Sequence, residues 1–174
     1  MNPAACAVAL AALSLAVVGC GGAGKAAAHA STEHPLLGAP APDFELPSPD
    51  GKERVALSSA AGKVLIVDFW ATWCEPCRAS FPAYQRLVDG AQGRLVVIGV
   101  SVDEEPSGIA AFASETGVKF PLVWDEGQGA AKSYRPPTMP TSFVIDQHGV
   151  VRFVHAGFTA GDEAQIEAQV SSLY

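Results

Sequence analysis

The chain has 174 residues, of which 49% are hydrophobic, and this is enough to form the core of one domain. Its 11 Lys and Arg residues against 18 Asp and Glu residues give a net charge of −7, and no basic run occurs in the sequence. A nucleic-acid-binding surface is therefore excluded, and proteins are the expected partners.

The N-terminal part of the sequence predicts export. Residues 4–18 are almost wholly apolar and lead into Gly19 and Cys20, as in the hydrophobic region of a signal peptide. The residues before Cys20 resemble the bacterial lipobox, although no Lys or Arg precedes the apolar run. We therefore expect residues 1–19 to be a lipoprotein-type signal peptide and 20–34 to be a lipidated cysteine with a flexible tether. The alternatives are an ordinary cleaved signal peptide and an uncut membrane anchor. On each of these interpretations the folded part keeps only Cys74 and Cys77.

Residues 35–174 predict one α/β domain. Continuous apolar runs indicate strands that are buried on both faces, and acidic residues in the first turn mark the start of the last helix. The predicted strands are 55–57, 64–70, 95–102, 121–124 and a hairpin of 141–146 with 150–155. The predicted helices are 74–92, with Pro82 as a kink, 107–116, 130–134 and 162–173. This order implies a central mixed sheet with helices on both faces.

Cys74 and Cys77 form a Cys-x-x-Cys motif where the strand 64–70 leads into a helix. This spacing allows exchange between dithiol and disulfide. The unpaired N–H groups and the dipole of the helix N-terminus stabilise a thiolate on Cys74, so Cys74 is the expected nucleophile. Cys77 lies almost one turn later, where it can resolve a mixed disulfide, and we expect it to be less exposed. A structural zinc site would need two more ligands, and the sequence has no second cysteine pair at such a spacing.

The motif and its surroundings resemble thioredoxin. The match comprises residues 67–77 and Met139-Pro140-Thr141 before a hairpin. Glu75-Pro76 between the cysteines, the leading segment 41–44 and an extra αβ unit at 107–124 are more similar to the TlpA/ResA group of exported thiol-disulfide oxidoreductases. The resemblance implies a thioredoxin fold with an N-terminal β extension and an inserted αβ unit.

Two acidic positions are candidate site residues. Asp68 lies inside a buried strand, where desolvation raises a carboxyl pKa and suits it to accept the proton of Cys77. It matches the buried aspartate of thioredoxin, and the alternative is a local hydrogen-bonding role. Glu104 matches a glutamate that the ResA group places near its active site. Asp103 and Glu105 are adjacent alternatives, and a solvated acidic loop is the other interpretation.

The resemblance also implies a substrate-binding surface. It implies a cis bond between Met139 and Pro140, which would expose the Met139 backbone to an extended substrate. Trp73 is expected to cover Cys74 and to offer an apolar docking surface. Glu75 and Pro76, between the cysteines, are expected to tune the redox potential.

The negative charge near the cysteines favours a reductant, because it disfavours the thiolate form. The resemblance implies a membrane thiol donor and an oxidised protein substrate, such as an apocytochrome c awaiting haem. No cofactor or metal is expected, and the chain is expected to be a monomer.

Two other functions are alternatives. A peroxiredoxin-like peroxidase shares the Ala41-Pro42-Asp43-Phe44 segment but needs Pro-x-x-x-Thr-x-x-Cys, and Thr72 stands two residues before Cys74 instead of three. A copper carrier would use the two thiols for soft Cu(I). Related carriers have a Cys-x-x-x-Cys motif, which is one residue longer than the motif here.

Overall fold

A computed structural model describes Met1 and residues 33–174. Its centre is a five-stranded sheet in the order β5-β4-β3-β6-β7. The strands β3, β4 and β5 are parallel, whereas β6 is antiparallel to β3 and β7 is antiparallel to β6. A separate antiparallel pair, β1 and β2, precedes this sheet. The mixed sheet of a thioredoxin-like fold is thus confirmed.

The elements follow the predicted order. The strands are β1 (Glu45–Pro47), β2 (Arg54–Ala56), β3 (Val64–Trp70), β4 (Leu95–Ser101), β5 (Leu122–Trp124), β6 (Thr141–Ile145) and β7 (Val151–Ala156). The helices are α1 (Glu75–Gly90), α2 (Ile109–Thr116), α3 (Gly129–Tyr134) and α4 (Asp162–Ser171). Three short 3₁₀ turns span Leu57–Ala60, Pro106–Gly108 and Glu126–Gln128.

Alternation along β3 divides the core into two layers. Every residue of β3 is buried, and successive side chains point to opposite faces of the sheet. One face packs against α1, α2 and α4 in a cluster that includes Ile66, Trp70 and both cysteines. The other packs against α3 and the N-terminal segment around Phe44. Helices therefore cover both faces, as the sequence predicts.

The N-terminal extension is attached to the hairpin end of the sheet. The amide of Gly38 donates to the carbonyl of Val151 at 2.8 Å, and the amide of Ala41 donates to the carbonyl of Gly149 at 2.9 Å. The inserted unit is α2 with β5, which extends the sheet beside β4. Both additions implied by the family resemblance are present.

Several predicted boundaries differ from the structure by one or two residues. Leu57 begins a 3₁₀ turn instead of ending β2, and the helix predicted from residue 107 begins at Ile109 after another such turn. The helix after the motif begins at Glu75, one residue later than predicted. The predicted signal peptide, Cys20 and most of the tether lie outside the described residues. Within residues 33–174, no helix is long and apolar enough to cross a membrane.

Candidate active site

The two cysteines form a disulfide at the start of α1, with their Cα atoms 5.4 Å apart. Cys74 is the N-cap of α1, and its sulfur accepts a hydrogen bond from the Cys77 amide at 3.3 Å. Cys74 is 3% exposed and Cys77 is 0% exposed, so Cys77 is the less exposed of the pair, as predicted. This position stabilises a Cys74 thiolate through the helix N–H groups and dipole once the disulfide is reduced.

Trp73 stands out from the surface beside the disulfide, with 71% of its area exposed. It lines a cavity of about 560 Å³ together with Val102, Asp103, Glu104, Glu105 and Gln128. The structure therefore brings Trp73 and the three consecutive acids to one side of the cysteines. The cavity combines an aromatic surface with acidic residues.

The three acids have different surroundings. Glu104 and Glu105 are exposed, whereas Asp103 is buried. The Asp103 carboxylate accepts hydrogen bonds from the Thr72 amide at 3.0 Å and the Thr72 hydroxyl at 2.9 Å. It also accepts one from the Ser101 hydroxyl at 2.8 Å. Asp103 thus holds the loop before Cys74, while Glu104 faces the cavity.

The bond between Met139 and Pro140 is cis, as the resemblance implies. Pro140 is buried, and Met139 packs against the core cluster that contains both cysteines. Thr141, the next residue, pairs with Phe69 near the end of β3. Because β3 leads directly to the motif, Met139 and Pro140 lie at the same end of the sheet as Cys74.

The residues between the cysteines lie in the first turn of α1. Pro76 occupies a position at which a helix needs no N–H donor. The Glu75 side chain is largely exposed, and its carboxylate lies 3.7 Å from Arg78 Nε. Arg78 also pairs with Glu115 of the inserted α2 and lies over the Phe112 ring. The charge of Glu75 is thus partly balanced by Arg78.

Asp68 is completely buried on the β3 face that packs against α1. Desolvation raises the pKa of Asp68 to about 7, and a hydrogen bond donated by the Ser142 hydroxyl at 2.6 Å acts in the opposite direction. The carboxyl oxygen Oδ2 has no hydrogen-bond partner among the described residues. A carboxyl with such a pKa can take up and release a proton near neutral pH.

Sequence reasoning missed two polar residues on this face. Ser142 lies directly opposite Asp68 in the register of β6 with β3, and the Tyr84 hydroxyl is 2.6 Å from the Ser142 oxygen. Both are fully buried. Tyr84 falls seven residues after Cys77 on α1, a spacing that returns to the same helix face and offered a signal. Ser142 could be identified only from the register of β6 with β3.

Residues 37–154 match the model of the AhpC/TSA family. The chain belongs to the AhpC/TSA family. Thiol-disulfide oxidoreductase ResA of Bacillus subtilis strain 168 is 37% identical over 122 residues, covering 69% of this chain and 67% of ResA. Thioredoxin-like protein YneN of the same strain is 35% identical over 123 residues, covering 69% of this chain and 71% of YneN.

A solved structure agrees with these relatives. The crystal structure of a Chlorobium tepidum protein, named as a candidate thiol:disulfide interchange protein DsbE, has a TM-score of 0.74 to this chain at 34% identity. The match covers 79% of this chain and 96% of that chain. This AhpC/TSA member is therefore a thiol-disulfide oxidoreductase of the ResA and DsbE type, and the resemblance to the thioredoxin-like TlpA/ResA group is confirmed.

The orientation of the Thr72 side chain bears on the peroxidase alternative. Its hydroxyl donates to Asp103 Oδ1 at 2.9 Å, which turns it towards the end of β4. The paired cysteines and the names of the relatives instead indicate disulfide exchange.

Within residues 33–174, no group of three or more His, Cys, Asp or Glu side chains is arranged to hold a metal ion.

Proposed function

We propose that this chain is a membrane-tethered, extracytoplasmic reductant of specific protein disulfides. The observation that carries the proposal is the Cys74–Cys77 disulfide at the start of α1, beside the exposed Trp73 and an acidic cavity. The apolar segment of residues 4–18 before Cys20 supports export and lipid attachment. An apocytochrome c awaiting haem is a suitable substrate, and a membrane thiol protein is a suitable electron donor.

The reaction requires two thiol exchanges. In the reduced protein, the Cys74 thiolate attacks one sulfur of a substrate disulfide, and the other substrate sulfur leaves as a thiolate. Cys77 then gives up its proton and attacks Cys74 Sγ, which forms the Cys74–Cys77 disulfide and releases the second substrate thiolate. Two electrons pass to the substrate, and a membrane thiol donor reduces the protein again. In this cycle Asp68 is the proton acceptor for Cys77.

The surface beside the disulfide would hold the substrate. Trp73 offers an exposed aromatic ring, and the backbone of Met139 can pair with an extended segment next to the cis Pro140. In this proposal Glu104 contributes charge to the cavity next to the cysteines. The chain would act as a monomer without a cofactor.

The direction of electron flow follows from charge. Asp68 is buried beneath the site, and Glu75, Glu104 and Glu105 are exposed around it. Nearby negative charge disfavours a thiolate, which makes the disulfide comparatively stable and the dithiol a better reductant. About 30 mV corresponds to a tenfold change in the equilibrium of this two-electron couple.

Trapping in cells tests the reaction. Cys77→Ala leaves the nucleophile without its resolving partner, so mixed disulfides between Cys74 and its substrates should accumulate and be released by dithiothreitol. Cys74→Ala is the matched control and should trap nothing. Absence of any Cys74-linked species in the Cys77→Ala strain would overturn the proposed exchange. Rapid peroxide consumption by the purified dithiol protein would favour the peroxidase alternative.

Potential and location are tested separately. We expect a reduction potential well below the value of about −120 mV for a strong periplasmic oxidant, and a value near that figure would contradict the reductant role. Cys20→Ser should abolish incorporation of a labelled fatty acid into the protein, whereas Cys6→Ser should not. Equal labelling of the two variants would contradict lipidation at Cys20.

A further inference from the structure

A buried chain of hydrogen bonds links α1, β6 and β3. The Ser142 hydroxyl donates to Asp68 Oδ1 at 2.6 Å, and the Tyr84 hydroxyl lies 2.6 Å from the same Ser142 oxygen. All three side chains are completely buried. The chain lies on the sheet face that also holds Cys77.

The number of hydroxyl hydrogens determines which group donates each hydrogen bond in this network. Ser142 carries one hydroxyl hydrogen, and an ionised Asp68 can only accept hydrogen bonds. Ser142 therefore donates to Asp68, and Tyr84 must donate to Ser142. The order is Tyr84 to Ser142 to Asp68 Oδ1.

The same counting identifies the oxygen that takes a proton. A proton on Oδ1 would compete with the hydrogen that Ser142 donates to this oxygen, so the bonds from Ser142 and Tyr84 would have to rearrange. A proton on Oδ2 leaves both of these bonds in place, because Oδ2 has no partner among the described residues. Oδ1 is therefore held by a hydrogen bond, whereas Oδ2 is available to take up a proton.

We propose that Tyr84 and Ser142 are positioning residues for proton transfer, which hold Asp68 Oδ1 and leave Oδ2 as the oxygen that accepts the proton of Cys77. This proposal rests on the proposed function of Asp68 in the exchange reaction. In the resolving step, the Cys77 thiol gives its proton to Oδ2, and its sulfur attacks Cys74 Sγ. The electron pair of the broken mixed disulfide leaves on the substrate sulfur, so charge and atoms balance.

The other ionisable groups around these three hydrogen-bonded side chains have partners of their own. His155 pairs with Ser142 in the register of β7 with β6, and its ring lies 2.6 Å from Gln169 Oε1 on α4. Asp162, at the start of α4, accepts a hydrogen bond from the Thr159 amide at 2.8 Å. On α1, Cys77 and Tyr84 lie in the core cluster on the same face of the sheet as Asp68. Within residues 33–174, Asp68 takes part in no ion pair with Lys or Arg.

The Ser142 hydroxyl is therefore the contact that favours the charged form of Asp68. Burial acts against that form, and no cation compensates for it in the described part of the chain. Tyr84 strengthens the Ser142 bond by donating into the same oxygen, since hydrogen bonds in a chain polarise one another. Removing either hydroxyl should raise the pKa of Asp68. The charged form that accepts a proton would then be present only at higher pH.

The test is the pH profile of the resolving step, measured as product release from a preformed mixed disulfide on Cys74. Ser142→Ala should move the acid limb of the profile up by about one pH unit, which is about a tenfold slower rate below the limb. Tyr84→Phe should move it in the same direction by less. At pH 9 both variants should approach the parental rate.

Tyr134→Phe is the matched control for Tyr84→Phe. It also removes a buried tyrosine hydroxyl, which donates to the Pro42 carbonyl at 2.8 Å on the opposite face of the sheet. The parental profile should be retained. In an Asp68→Asn background, Ser142→Ala should produce no further shift.

The outcomes separate this proposal from the proposed function. If Asp68→Asn removes the acid limb but Ser142→Ala and Tyr84→Phe leave it in place, the positioning roles are overturned and the role of Asp68 stands. If Asp68→Asn leaves the limb unchanged, both are overturned. If Cys77→Ala traps no partner, the exchange reaction itself fails.

Discussion

Asp103 shows how one residue can connect a core strand to the reactive loop. Its carboxylate accepts the amide and the hydroxyl of Thr72 and the hydroxyl of Ser101. Its backbone carbonyl accepts the Trp124 indole N–H at 2.9 Å. The loop before Cys74 is thereby fixed to the ends of β4 and β5.

Asp103→Ala should lower the free energy of unfolding by about 2 to 4 kcal/mol, because it leaves three donors without this acceptor. Asp103→Asn keeps one acceptor oxygen and should cost less. Urea unfolding of the oxidised protein measures both effects. Glu104→Gln is the control, and its exposed side chain predicts a change within about 0.5 kcal/mol. Equal stability of Asp103→Ala and the parent would refute this account.

The sequence could not decide which of the three acids turns inward. The family resemblance favours Glu104, and hydration favours an exposed position for each acid. Alternation offered a signal, since Ser101 and Asp103 are two residues apart and fall on one side of an extended chain. Their hydrogen bond shows that the alternation of β4 continues past its last residue.

At the scale of elements, β4 and β5 approach closely at Gly99. A Cβ added there would lie 2.6 Å from Leu122 Cδ2 and 3.2 Å from Trp70 Nε1. Gly99 also pairs with Asp68 in the register of β3 with β4. This glycine therefore gives the Trp70 ring room beneath the active site.

Gly99→Ala should destabilise the protein by about 1 to 3 kcal/mol, because Leu122 and Trp70 must move from their packed positions. Thermal unfolding of the oxidised protein is the measurement. Gly90→Ala is the matched control, since Gly90 ends α1 and a Cβ there meets nothing within 4 Å. If both variants unfolded at the parental temperature, the close contact at Gly99 would have no energetic significance.

Elements with strong local signals were predictable. The strand Val64–Trp70 has the predicted bounds because its apolar run is continuous and follows the turn at Gly62. The start of α2 was placed two residues early, because Pro106 begins a 3₁₀ turn before the helix. Ser142 could not be assigned in advance, since its role depends on pairing with a strand 74 residues away.

At the scale of the whole molecule, burial of Asp68 links stability to pH. Its pKa rises from the ordinary value of 3.8 to about 7 on folding. Between these values the folded state binds more protons than the unfolded state, so stability falls as pH rises from about 4 to about 7. The full stabilisation from this group is present below pH 4, and the cost above pH 7 is on the order of 4 kcal/mol.

Asp68→Asn should remove this pH dependence. The free energy of unfolding of the variant should fall less than that of the parent between pH 4 and pH 8. Urea unfolding of both oxidised proteins across this range gives the difference, in which the other titrating groups cancel. Parallel curves would show that Asp68 has the same pKa in the folded and unfolded states.

The inserted unit belongs to the structural support of the reactive helix. The Phe112 ring of α2 lies 4.5 Å from Trp70 and 5.2 Å from Phe81, measured between ring centres, and Arg78 joins α1 to Glu115. Excising residues 106–124 to obtain a minimal thioredoxin would uncover the aromatic rings behind the cysteines. A shortened version of this enzyme would need new apolar side chains to cover these rings. The inserted unit is therefore an integral part of the core and could not simply be removed.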